Sequence, residues 1–425
     1  MSRLLFLNRV FGAETEATGM LLAELAEDLA AEHEVTVICA HGAAMRRGIW
    51  PLIERERSGS LSIIRTFAPN IAKSRGFLRY LDLIVYFVLA GFAALRERAD
   101  IVVTETDPPL LGLLGAILKW LWRCPFVYYC QDIYPDVAAA SGALKIDSLL
   151  WLLDRANDCA YRRADAIIAL ASDMAGLLRR KGINADKIVV IPNWIDCRKV
   201  QPPHFGARAT HPRDAFVVMY AGNIGWTQNL ECVLDTAGLL RDECRVRFTV
   251  VGNGARRAHL QARAKLMRLE NVEFIERVAT DKLSPMLADC DLHLIPLQAG
   301  VAGCMVPSKV YGILAAGKPF VAMMERHAEV ARLAMESQVG FVVAPGDAAD
   351  LARIICEAAA DRRMLYEMGA RARALAERSF DRRIATRRFA TLLAAVQNGA
   401  ALSEPEEVEA MPAITIDADA ALSAK

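Results

Sequence analysis

Short continuous runs of Val, Ile, Leu and Ala recur along the chain with amphipathic stretches between them, and this alternation restricts the fold more than any other feature. The first series is LLFLN (4–8), EVTVICA (34–40), SIIRT (62–66), DIVVTE (100–105), FVYYCQD (126–132), AIIALA (166–171) and IVVIPN (188–193). The second runs FVVMYAG (216–222), VRFTVVGNG (246–254), NVEFIE (271–276), LHLIPL (292–297), PFVAM (319–323) and GFVVAP (340–345). Strands apolar on both faces belong in parallel sheets covered by helices on each side, and stretches such as residues 19 to 32 supply the cover. Pro202, Pro203, Gly206 and Pro212 separate the two series. The expectation is an α/β chain of two doubly wound domains, with ligands at the carboxyl ends of the strands, in a cleft between them.

At 425 residues the chain is longer than one core usually serves. Residues 1–195 and 215–375 are read as the two domains, 196–214 as a linker, and 376–397 as a helix crossing back to the first domain. Residues 398–425 read as an acidic, disordered tail. Net charge is +1 over the chain. The tail is acidic, so the remainder is mildly basic, which suits phosphorylated ligands or an anionic membrane surface. No dense basic stripe appears, so nucleic acid is not an expected partner. The ten cysteines contain no C-x-x-C pair, and no metal-ligand spacing stands out. The N-terminus has no long apolar region followed by a cleavage site, which points to the cytoplasm.

Two stretches raise the question of a membrane. Residues 77–95 are helical in character and strongly apolar, but Arg79 and Asp82 interrupt them, leaving fewer than the roughly 20 residues a span needs. Residues 110–122 end in Lys119, Trp120, Trp122 and Arg123, the pattern of an interfacial helix. Helices covering a sheet would also be apolar. Peripheral contact near Trp120 and Trp122 is the membrane expectation.

The segment Val306 to Pro319 carries the clearest chemistry. Pro307 suits the first turn of a helix, and Gly317 followed by Lys318-Pro319 ends it. Ser308 and Lys309 in that first turn would meet an anion with backbone N–H groups and a full positive charge. Gly222-Asn223-Ile224-Gly225 and Gly252-Asn253-Gly254 each end a strand and let backbone amides approach a ligand. Arg257 replaces the last glycine of a dinucleotide fingerprint, which weakens a nicotinamide reading. Asp132 and Asp136 flank Tyr134-Pro135 beside the expected cleft, where a carboxylate could serve as a base or orient a sugar. Asp136 could equally cap a turn.

In order and spacing, Ala17-Thr18-Gly19, Gln131 to Asp136, Ile191-Pro192-Asn193, Tyr220 to Gly225, Val251 to Gly254 and Pro307 to Pro319 resemble the family 4 retaining glycosyltransferases of the GT-B fold. The likeness covers roughly residues 3–396 and is strongest to bacterial members that build exopolysaccharides and surface glycans. It implies two Rossmann-like domains facing across a cleft, with acceptor on the first and nucleotide on the second. Catalysis falls to Asp132 and Lys309. Donor binding falls to Gly19, Gly222, Asn223, Gly225, Gly254, Arg257, Ser308, Lys309 and Glu329. The nucleotide sugar is a substrate, so no cofactor and no catalytic metal are expected, and the implied acceptor is lipid-linked. The family's two glutamates fall on Cys304 and Gly312 here, and Glu329 is the candidate replacement for ribose. A nucleotide-sugar epimerase and a non-catalytic partner of the same fold are the rival readings.

Overall fold

The computed structural model describes residues 1–12, 17–41, 52–68, 78–142, 146–202, 215–243 and 245–402. The expected linker is described only to Pro202, and the expected acidic tail lies outside the described residues from Ser403 onward.

In the first half the strands are β1 (Arg3–Leu7), β2 (Glu34–Ala40), β3 (Ile53–Ser58), β4 (Leu61–Thr66), β5 (Ile101–Thr104), β6 (Phe126–Cys130), β7 (Ala166–Ala169) and β8 (Ile188–Val190). Between them run α1 (Ala17–Leu29), α2 (Leu78–Ala94), α3 (Leu111–Trp122), α4 (Asp136–Ala140), α5 (Asp147–Arg163) and α6 (Ser172–Arg180). The sheet order is β3-β4-β2-β1-β5-β6-β7-β8, parallel except where β3 pairs antiparallel with β4. The chain builds outward from β1 in one direction and returns at β5 to build in the other. That places a topological switch point between β1 and β5.

The edge strand β3, IERERS, is the element absent from the sequence reading. Four of its six residues are exposed, so it carries no apolar run to announce it. Its charges also discourage edge-to-edge association.

The second half has β9 (Phe216–Ala221), β10 (Val246–Val251), β11 (Val272–Ile275), β12 (Leu292–Pro296), β13 (Phe320–Met323) and β14 (Gly340–Val343). Its helices are α7 (Glu231–Leu239), α8 (Arg257–Leu266), α9 (Leu283–Ala288), α10 (Lys309–Ala315), α11 (Glu329–Glu336), α12 (Ala348–Ala360), α13 (Arg362–Ser379) and α14 (Arg382–Asn398). The order β11-β10-β9-β12-β13-β14 is parallel throughout, with its switch point between β9 and β12.

Chain return joins the halves. After α13 the backbone at Phe380-Asp381 pairs with Ile195, and α14 then lies against α1. Arg382 anchors it, donating to Asp28 at 2.7 and 2.9 Å and to the Glu24 carbonyl at 2.9 Å. Phe389 is fully buried, edge-on to Tyr129 at 5.0 Å and to Trp194 at 5.9 Å between ring centroids. Trp194 in turn donates its indole N–H to Glu24 of α1 at 3.0 Å. Phe389→Ala should therefore lower the stability of the first half by about 3–5 kcal/mol. Denaturant unfolding followed by tryptophan fluorescence checks this, and a shift below about 1 kcal/mol would mean that α14 is not a structural part of that half.

Candidate active site

Two glycine-rich turns leave the neighbouring strands β9 and β10 and lock together. Gly222 N–H donates to Val251 O at 3.0 Å, Ile224 N–H to Asn253 O at 2.9 Å, and Arg256 N–H to Ile224 O at 3.0 Å. A Cβ on Gly252, whose φ is +141°, would sit 1.9 Å from the Gly222 carbonyl oxygen, so no other residue fits. Gly225 N–H is taken by the Gln228 side chain at 3.0 Å, and Asn223 stands exposed at the tip.

Helix α10 begins beside these turns. Pro307 lies just ahead of it, Ser308 occupies the N-cap position without a side-chain capping bond, and Lys309 is its first residue. Gly317 N–H to Leu314 O at 3.0 Å and Lys318 N–H to Ile313 O at 3.2 Å close the helix as a Schellman motif, with Gly317 at φ +65°. The Lys309 ammonium lies 4.0 Å from the centroid of the Tyr220 ring and against Gly222. Among the described residues it has no carboxylate or hydrogen-bond partner. Burial pulls its pKa down to about 7, since an enclosed charge without a counter-ion favours its neutral form. A cation held in this way is a place for an anion to bind.

The neighbouring arginines are committed elsewhere. Arg257 donates to the Gly252 and Ile275 carbonyls at the ends of β10 and β11, the latter at 2.8 Å. It braces the turns, which differs from the direct donor contact expected of it. Gly254 lies in the same locked turn. Arg256 pairs with Glu231 and stacks 4.2 Å over the Trp226 ring.

Across the cleft, the segment after β6 meets the loop ahead of α10. Asp132 forms an antiparallel bridge with Met305, and Ile133 N–H donates to Cys304 O at 2.8 Å. Asp132 is thus placed four residues from Lys309 through that pairing. Asp136 has a structural partner instead: Lys181 bridges it at 2.8 Å and Asp154 at 2.7 Å. Gly19 is buried in α1, where its carbonyl accepts from Gly12 N–H at 3.1 Å, so its part is to shape the turn after β1.

Cys304 and Gly312 both lie buried, and a Cβ on Gly312 would already come within 3.2 Å of Leu287, leaving no ready space for a glutamate there. The Glu329 carboxylate accepts from Ser172 Oγ at 2.5 Å and lies 3.7 Å from Arg332. Its backbone N–H donates to Asp173 at 3.0 Å. Glu329 therefore serves as a contact between the halves in this closed arrangement. Asp291 accepts from Val217 N–H at 2.7 Å and pairs with Arg362 at 3.2 Å.

One set of polar groups escaped the sequence reading. Asn8, Glu105 and Gln131 follow β1, β5 and β6 at the switch point of the first sheet and are 0%, 2% and 5% exposed. Both Glu105 carboxyl oxygens, Gln131 Nε2 and Asn8 Oδ1 lack a hydrogen-bond partner among the described residues. Burial raises the Glu105 pKa well above the ordinary carboxylate value, with Asp107 adding to the effect. Burial thus disfavours the charged form of the Glu105 carboxyl.

The sequence profile of the glycosyl transferase 4-like domain matches residues 16–194, and that of glycosyl transferases group 1 matches residues 215–361. "Probable glycosyltransferase WbjE" of Pseudomonas aeruginosa is 30% identical over 68% of this chain and 72% of its own length. WcaI of Escherichia coli K12, named for colanic acid biosynthesis as a glycosyl transferase, is 26% identical over 76% of this chain and 83% of its own. Among solved structures, sucrose-phosphate synthase from Thermosynechococcus elongatus superposes with TM-score 0.78 at 16% identity, covering 94% of this chain and 100% of that one. Anabaena HepE in complex with UDP-glucose gives 0.70 at 19%, covering 93% and 100%. These likenesses give the fold, GT-B, and the sequence matches give the kinship: the chain is a glycosyltransferase, a member of the group 1 family with a glycosyl transferase 4-like first half.

Proposed function

We propose that this glycosyltransferase moves a sugar, with retention of anomeric configuration, from a nucleotide diphosphate donor to a lipid-linked glycan in exopolysaccharide or surface-polysaccharide synthesis. The observation that carries the donor reading is the Lys309 ammonium, enclosed beside Tyr220 and the Gly222 turn without a carboxylate. The leaving group is a diphosphate, and a fixed cation with neighbouring amides stabilises the charge that develops on it. In this reading Asp132, whose backbone bridges to Met305, orients the transferred sugar or takes the acceptor proton. The complexes of HepE with UDP and UDP-glucose support a nucleotide sugar, and the name of WcaI supports a polysaccharide product.

The surface of the first half favours an acceptor that lies in a membrane. No helix among the described residues is long and apolar enough to cross one. Helix α2 exposes Leu81, Ile84, Val88 and Phe92 along one face with Leu95 just past its end, α3 exposes Ile117, Trp120 and Leu121, and α5 exposes Trp151 and Leu152. Trp120 is 79% exposed, whereas Trp122 packs on the core. Exposed Arg96, Arg98, Arg123, Arg162 and Arg163 follow or close the C-terminal ends of these helices. An apolar face edged with arginine fits the interface of an anionic bilayer, with its acceptors presented there. The protein should sediment with vesicles containing phosphatidylglycerol, and Trp120→Ser with Phe92→Ser should weaken that binding roughly tenfold. Unchanged sedimentation of the double variant would remove this face from the account.

Lys309→Ala should weaken binding of the recognised nucleotide diphosphate about 10–100-fold, the range of a lost charge-assisted contact. Thermal stabilisation by UDP-, GDP-, ADP- and TDP-sugars and their free diphosphates identifies that nucleotide. A shift that survives in Lys309→Ala contradicts the assignment. A lysine that titrates near 7 when unliganded must also gain a proton as an anion binds. Affinity should therefore fall as pH rises above about 7, and calorimetry in buffers of different ionisation enthalpy should report proton uptake. No uptake would mean that Lys309 does not meet the phosphates.

A further inference from the structure

Three side chains on one face of the first sheet have buried polar atoms with no hydrogen-bond partner among the described residues. The register pairs Leu7 with Thr104 and Thr104 with Tyr128, so its continuation aligns Asn8, Glu105 and Tyr129 across three strands, with Gln131 two residues on along the same face. Tyr129 donates to Asn193 at 2.8 Å, and Asn193 donates to Gln131 Oε1 at 3.1 Å. That chain fixes Gln131 so that its Nε2 is left over. Glu105 has neither an arginine nor a backbone amide on its carboxyl. A buried polar group left without a partner is destabilising, so a chain selected for stability alone would carry apolar residues here. Such groups are matched by water or by a ligand.

Position favours the ligand. The cluster stands at the switch point of its sheet, where ligands of such folds bind. Gln131 precedes Asp132, which bridges to Met305 just ahead of α10. A donor whose diphosphate sits on Lys309 carries its sugar beyond the diphosphate, toward the opposite half. A buried carboxyl, an amide N–H and an amide oxygen, each with a polar atom left over, together offer the hydrogen-bonding groups that complement sugar hydroxyls.

We propose that Asn8, Glu105 and Gln131 bind hydroxyl groups of the sugar carried by the donor, and so contribute to the choice of sugar. This rests on the donor reading above, in which Lys309 holds the diphosphate. The three side chains are buried, so the contacts between the halves, among them Ile133 N–H to Cys304 O, must loosen for the sugar to enter.

The test compares a nucleotide diphosphate with its sugar conjugate, using whichever pair stabilises the wild type. Glu105→Met removes the polar group at similar length, and Glu105→Gln keeps a donor and an acceptor. The Met variant should have a melting temperature at or above that of wild type and an unchanged affinity for the free diphosphate. Its affinity for the conjugate should fall at least about tenfold, and the Gln variant should restore most of it. Should the Met variant not fold, Glu105→Ala carries the same expected split. Equal affinity of wild type and variant for the conjugate would overturn the proposal and leave the cluster to buried water. A parallel loss for both ligands would also overturn it, as general damage. A wild type that responds to no nucleotide would instead sink the donor reading itself.

Discussion

A lysine ammonium enclosed without a carboxylate is the constraint around which the second half is organised. Burying an isolated cation is unfavourable, and burial moves Lys309 toward its neutral form. The surroundings tolerate it through the Tyr220 ring and the open backbone of Gly222. They are themselves held rigid: the β9 and β10 turns exchange three backbone hydrogen bonds, and Arg257 ties the ends of β10 and β11 together from behind. A preorganised cation beside fixed amides stabilises a departing diphosphate without reorganising as charge develops.

The halves meet through polar and apolar contacts on the cleft side, where Val301, Cys304 and Val306 join the core of the first half, and through α14 at the chain return. On the cleft side are the Ile133–Cys304 and Asp132–Met305 backbone pairings and the Ser172, Asp173 and Glu329 group. At the return, α14 buries Phe389 beside Tyr129 and Trp194. The Glu329 carboxylate belongs to that cleft-side group.

Much of this was legible before the structure. Apolar strand runs are dictated by burial on both faces, so β1, β2 and β9 were readable almost to the residue. The Pro-Ser-Lys start and Gly-Lys-Pro end of α10 are local signals of backbone geometry, and they placed Lys309 correctly at a helix start. What failed to show depends on distant partners. Arg257 after a glycine-rich turn looks like a phosphate ligand, but carbonyls from two strand ends capture it first. Glu329 meets a serine from the other half, and β3 is too charged to read as a strand. Glu105 stands out only once the register of three strands shows that nothing reaches it.

The most direct measurement is a crystal structure with the nucleotide diphosphate that stabilises the protein. The account places a phosphate oxygen within hydrogen-bond distance, about 2.7–3.2 Å, of Lys309 Nζ, with the Gly222–Asn223 backbone on the same group. A diphosphate bound elsewhere, with Lys309 still against Tyr220 and no anion beside it, would contradict the central claim.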